Sequence, residues 1–131
     1  MIYLDASAAL KLVIPEAETP ALEMWIAERA GMPRVSSRLL RIEMLRSVAG
    51  NAPERVSRAN AILSSIAALS MDDIAPTAEV IGDRTLRSLD AIHLATALHV
   101  RAQLTSFVTY AKRLADAARA AGLSVDAPAT G

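Results

Sequence analysis

The stretch "SFVTYAKRLADAARAAGLSVDA", residues 106–127, decides the architecture. "SFVTY" (106–110) is short and carries Phe, Val, Thr and Tyr, residue types that suit a strand. "KRLADAARAAG" (112–122) is rich in helix formers and ends on Gly122, a residue suited to a helix C-cap. "LSVDA" (123–127) is strand-like again. Two strands joined through a helix run parallel, because a hairpin return would need only a tight turn.

The same alternation extends outward along the chain. "IYL" is an apolar run that stops at Asp5, and "SAALKLVI" reads as a helix closed by Pro15. "EAETPALEMWIAERAG" (16–31) predicts a helix with Thr19 as N-cap, Pro20 at the first helical position, and Leu22, Trp25 and Ile26 on one apolar face. "RVSS" is a short strand. "SRLLRIEMLRSVAGN" (37–51) predicts a helix with Leu39, Leu40, Ile42, Leu45 and Val48 inward. "PERVSRANAILSSIAALS" (53–70) predicts another, with Val56, Ile62, Ile66 and Leu69 apolar. "MDDIA" (71–75) reads as a brief strand and "PTAEVIGDRT" (76–85) as a short helix or turn. "SLDAIHLATALHVRAQ" (88–103) is the strongest helical pattern. The expected fold is α/β, three layers α/β/α around a mostly parallel central sheet of about five short strands. A single domain over 1–127 and a short flexible tail at 128–131 are expected.

Composition narrows the setting. A length of 131 residues suits one domain with a sizeable core. No cysteine is present, which excludes disulfides and thiolate metal sites and leaves the redox compartment undiagnosed. The strand-like start "MIYLD" does not read as a signal peptide, and no apolar run approaches the ~18 residues that span a bilayer. A soluble, cytoplasmic protein with no membrane partner is the expectation. Fourteen cations balance fourteen anions, so there is no bulk electrostatic pull towards nucleic acid. Twelve of those cations are Arg, including Arg34, Arg38, Arg41 and Arg46. Arg grips phosphate through paired hydrogen bonds, although a GC-rich coding bias accounts for abundant Arg and Ala equally well.

In parallel sheets, sites form at the carboxyl ends of strands, here at Asp5, Ser36-Ser37 and the 109–111 turn. Asp5, with Ser7 two residues on, suits either a helix N-cap or a functional carboxylate. Glu43 lies between Ile42 and Met44, where it either pairs with Arg46 at i+3 or points into a cleft. Asp90 sits early in its helix, after Ser88 as a candidate N-cap, where an acid favours the helix dipole. His93 follows at i+3, a spacing that can bind metal but that, between Ile92 and Leu94, more often marks hydrogen-bonded structure. If Asp5, Glu43 and Asp90 converge, their charges need a cation. Oxygen donors without thiolate suit Mg²⁺, or Mn²⁺, and such an ion serves phosphodiester hydrolysis.

"YLDASAALKL", "SSRLLRIEMLRS", "SLDAIHLATAL" and "FVTYAKRLADAA" occur in that order over residues 3–118. Together they resemble the PIN domain, and more narrowly the VapC-like ribonuclease toxins of type II toxin–antitoxin pairs. The resemblance implies a Mg²⁺-dependent endoribonuclease whose acidic, metal-holding residues map onto Asp5, Glu43 and Asp90, with Ser7 in support. It implies a homodimer neutralised by a cognate VapB-like antitoxin, and contact with DNA only through that antitoxin. Arg38, Arg41 and Arg46 are then candidates for RNA phosphate contacts, while the RNA target is left to groove shape.

The resemblance also exposes a departure. Its fourth acid is expected directly after "VTY", where this chain has Ala111. Asp116 is no substitute, since five residues along a helix turn about 500°, or some 140° round from the starting face. Either a natural site has lost an acid or an Asp was removed; in both cases impaired cleavage is expected. A rival reading is a disarmed binding or regulatory module that keeps its antitoxin. A phospho-acceptor receiver domain fits less well, because Asp5 stands without a paired acid and Lys112 runs straight into a helix. A nucleotide-binding enzyme lacks its glycine-rich loop.

Overall fold

Three successive apolar residues, Ile2–Leu4, form β1, and all three side chains are buried. Burial on both faces is the mark of a central parallel strand. The structure is a computed structural model that describes residues 1–72, 74–82 and 85–129. Four further strands flank β1: β2 (Arg34–Ser37), β3 (Ala67–Leu69), β4 (Ser106–Val108) and β5 (Val125–Asp126). Their order is β3-β2-β1-β4-β5, and every pairing is parallel. Tyr3 registers with Val35 on one side and Phe107 on the other.

The first two crossovers step from β1 to β3 through α1 (Ala6–Lys11), α2 (Thr19–Ala27), α3 (Leu40–Asn51) and α4 (Val56–Ser64). The chain then returns past β1 through α5 (Ala75–Ala78) and α6 (Ser88–His99) to β4, and reaches β5 through α7 (Lys112–Ala120). Right-handed crossovers that reverse direction place helices on opposite faces. Accordingly Ile2, Leu4 and Val108 pack with Leu22, Leu40, Met44 and Ile62 from α2, α3 and α4. Tyr3, Val35 and Phe107 pack with Leu94, Ala97, Leu114 and Ala118 from α6 and α7. The result is the three-layer α/β/α arrangement, with each large apolar side chain contributing about 2 kcal/mol by burial.

Several local expectations are corrected. β3 is Ala67–Leu69, inside the segment expected to continue as helix, whereas "MDDIA" is not a strand: Met71 and Asp72 lie in a bend and turn, Ala75 opens α5, and Asp73 lies outside the described residues. Asp83 and Arg84 of "PTAEVIGDRT" also lie outside them. On α3 the inward stripe is Leu40, Met44 and Val48, at i, i+4 and i+8, while Ile42 is 58% exposed. Val56 is exposed too. Thr19 is the first residue of α2 rather than its cap, and its hydroxyl donates to the Lys11 carbonyl at 2.8 Å. Ser88 likewise lies inside α6, with Arg87 at the N-cap. Trp25 is half-buried and carries the Arg29 guanidinium 3.9 Å from its ring centre.

β1 and β4 are neighbours whose helices leave on opposite faces, the arrangement in which a doubly wound sheet places a ligand crevice at its carboxyl ends. Asp5 and Thr109 are the first residues beyond these strands. Near the chain's end the Tyr110 hydroxyl donates to the Pro128 carbonyl at 2.7 Å. Among the described residues no helix is long and apolar enough to cross a membrane.

Candidate active site

The exit of β1 is held by a dense set of donors. Asp5 is 2% exposed and caps α1, its Oδ1 accepting from the Ala8 backbone N–H at 2.9 Å. Thr109 Oγ1 donates to Oδ2 at 2.6 Å, and Ser7 Oγ lies 2.7 and 2.9 Å from the two carboxylate oxygens. These hydroxyls in turn accept backbone protons from the β4 exit: Tyr110 N–H donates to Ser7 Oγ at 2.9 Å, and Ala111 N–H to Thr109 Oγ1 at 3.0 Å. Two adjacent strand ends are thereby tied together through one carboxylate. Burial pushes the Asp5 carboxyl above its usual range, against the opposing pull of Thr109, Ala8, the His93 charge and Ser7.

Glu43 belongs to a second chain of contacts. Its Oε1 lies 2.7 Å from His93 Nε2, and His93 Nδ1 lies 2.7 Å from the Tyr3 hydroxyl. His93 is 1% exposed, so it is the hydrogen-bonded structural histidine that its apolar neighbours suggest. Tyr3 stacks on Phe107 with ring centres 5.1 Å apart and meets His93 edge-on. The side chain that Glu43 meets is thus His93 of α6, not Arg46 of its own helix.

Asp90 occupies the first turn of α6, one turn before His93. Burial raises its carboxyl above the usual range; the charge of His93 opposes this, that of Glu43 adds to it, and Arg87 opposes it. Asp5 and Asp90 both sense His93, and Asp90 also senses Glu43. His93 is thus common to the surroundings of all three acids. The donor set is oxygen-rich, which suits a hard divalent cation in kind. Among the described residues, however, no three His, Asp or Glu side chains are placed together to hold an ion.

Ala111 follows Tyr110 just beyond the exit of β4. It is the N-cap of α7, in extended backbone (φ −82°, ψ 112°), and it offers no side-chain acceptor to the helix. Asp116 does not make up the loss; it is exposed on α7 beside Arg119, 3.7 Å away. Arg38, Arg41 and Arg46 are all exposed. Arg38 and Arg41 border a groove of about 210 Å³ beyond β2, with Ser36, Ser37 and Leu63, and Arg41 bonds Asn60 of α4 at 3.4 Å.

Sequence reasoning passed over Thr109 as a carboxylate donor, and Tyr3 and His93 as the support of Glu43. A polar β-branched residue just beyond a buried strand was the available signal for Thr109.

Comparison with known proteins bears on the family to which the chain belongs. A family model described as the PIN domain matches residues 2–120. Ribonuclease VapC47 of Mycobacterium tuberculosis (strain CDC 1551 / Oshkosh) is 41% identical over 132 aligned residues, covering 98% of this chain and 97% of its own length. Ribonuclease VapC35 of strain ATCC 25618 / H37Rv is 40% identical over 131, with the same coverage. Ribonuclease VapC46 of that strain is 38% identical over 128, covering 97% of each.

Proposed function

The chain belongs to the PIN domain family, among its VapC-like members, and we propose that it is a Mg²⁺-dependent endoribonuclease toxin neutralised by a cognate VapB-like antitoxin, with its rate lowered by Ala111. The observation that carries this reading is the match to the PIN domain over residues 2–120, with Asp5 at the exit of β1 and Glu43 bonded to His93 one turn beyond Asp90. Relatives that match nearly end to end bear the name ribonuclease.

Asp5, Glu43 and Asp90 are the residues that would hold Mg²⁺, or Mn²⁺ in its place. A bound ion of this kind lowers the pKa of a coordinated water and neutralises charge developing on phosphate. The chain's own contribution is orientation. Ser7 and Thr109 hold the Asp5 carboxylate, and His93 holds Glu43. Arg38, Arg41 and Arg46 would meet RNA phosphates, giving binding that weakens steeply with salt and a shallower slope after Arg→Ala. In this reading the protein is a cytoplasmic homodimer, and DNA is reached only through the antitoxin.

Ala111 specifically favours a second reading, a disarmed module that binds antitoxin without cutting RNA. One experiment separates the two. The chain and its Ala111→Asp variant are incubated with total RNA, with Mg²⁺ or with EDTA, and each is expressed without antitoxin to score growth arrest. The nuclease reading expects Mg²⁺-dependent cuts and growth arrest from Ala111→Asp, at a rate at least ~100-fold above the parent. Absence of cleavage by both chains, on RNA that the named relatives cut, would falsify it.

A further inference from the structure

Glu43 lies on α3, and its carboxylate meets an imidazole carried on the opposite face of the sheet. That imidazole is gripped in turn by a tyrosine of the central strand. We propose that His93 is a positioning residue, locked in its Nε2–H tautomer by Tyr3, which fixes the Glu43 carboxylate for the ion and substrate. The kinetic part of this proposal rests on the nuclease reading; the tautomer part does not.

The chemistry follows from the donors and acceptors. A carboxylate only accepts, so the proton in the 2.7 Å contact to Glu43 sits on His93 Nε2. The Tyr3 hydroxyl is 2.7 Å from Nδ1. A tyrosine hydroxyl is an O–H at neutral pH and can donate to that nitrogen. Ring flips are blocked on both sides. Tyr3 is stacked on Phe107 and stands edge-on to the imidazole, 5.7 Å between centres, and neither Tyr3 nor His93 is accessible to water. The relay Tyr3→His93→Glu43 thus runs from β1, through the sheet's α6 face, to a half-buried carboxylate on α3. An ordinary core histidine would need no acid at the edge of a crevice as its acceptor. The arrangement is that of a supporting residue that orients a ligand, whose loss typically costs about 10- to 100-fold in metal affinity or activity.

The test uses the full chain, with Ala111→Asp as the background for kinetics. The protein has only two histidines, His93 and His99, so a long-range ¹H–¹⁵N spectrum reads the His93 tautomer directly. The expected result is Nε2–H in the parent, and a mixture of tautomers in Tyr3→Phe, which keeps the ring and loses only the hydroxyl. Mn²⁺ affinity, followed by electron paramagnetic resonance, should fall about 10-fold or more in His93→Ala. It should recover most of that loss in His93→Gln, whose amide offers one acceptor to Tyr3 and one donor to Glu43. In cleavage assays kcat should fall with Mn²⁺ affinity while KM for RNA stays within about twofold. An Nδ1–H tautomer in the parent overturns the proposal. So do Mn²⁺ affinities that are the same in His93→Ala and the parent, or no Mn²⁺ binding by the parent and the Ala111→Asp chain. Where His93→Ala does not fold, Tyr3→Phe decides alone, and unchanged tautomer and affinity there overturn it. Loss of Mn²⁺ affinity in proteins that cut no RNA would sink the nuclease reading and leave the positioning role standing.

Discussion

Asp5 and Ala111 occupy matching places in the molecule. Each follows one of two neighbouring parallel strands, each sits in extended backbone, and each is the N-cap of the helix that leaves the sheet. Around Asp5 both carboxylate oxygens accept hydrogen bonds, from Ser7, Thr109 and the Ala8 N–H. At Ala111 the first turn of α7 has no side-chain acceptor. The difference teaches that the backbone pose does not require the acid. The sheet and its crossovers hold both turns, and the carboxylate is an addition whose value lies in capping and in charge.

The largest effect expected from stability measurements is at the satisfied corner. Asp5→Ala removes a cap and strands the donors of Ser7, Thr109 and Ala8, and it should cost about 2 kcal/mol in urea melts. Relief of a buried charge keeps the figure from being larger, and Asp5→Asn should cost less.

Filling the unsatisfied corner should act in the other direction. Ala111→Asn supplies a cap without charge and should add about 1 kcal/mol. Ala111→Asp caps equally well but adds a like charge to the group, so without divalent ions it should stabilise less than Asn. Mg²⁺ should reverse that order. Equal melting temperatures for the two variants at every Mg²⁺ concentration would break the comparison.

The smallest effect is a pH slope. Asp90 has a folded pKa above its ordinary value of 3.8, so the folded state binds the proton more tightly than the unfolded chain does. The stability it contributes is fully present below about pH 3.8 and is lost as pH rises through the elevated folded value. Asp90→Asn should therefore be more stable than the parent at pH 7 without metal. That advantage should shrink as pH falls towards 4, when measured as paired melts.

Much of this was readable before any coordinates. The strand–helix–strand pattern around Phe107, Leu114 and Val125 needs only local periodicity, whereas the first helix ends at Lys11 and does not run on to Pro15. Asp5 was marked as both cap and candidate ligand because both depend on where a strand stops. What failed was long-range. Ala67–Leu69 carries helix-forming residues and becomes a strand only by pairing with β2, so tertiary contacts override local propensity there. Ile42 and Met44 are both apolar and adjacent, and only the packing of α3 on the sheet decides which one turns inward. The Glu43–His93 contact spans 50 residues and the Thr109–Asp5 contact 104, distances over which spacing in the chain carries no information.

The central claim is that the acids at positions 5, 43 and 90 make one divalent-ion site that an acid at 111 completes. Anomalous diffraction from crystals of the Ala111→Asp chain grown with Mn²⁺ tests it most directly. The account predicts one strong peak in the β1–β4 crevice, about 2.0–2.3 Å from oxygens of Asp5 and Asp90. A map with no peak there, or with Mn²⁺ bound at an unrelated surface, would contradict it.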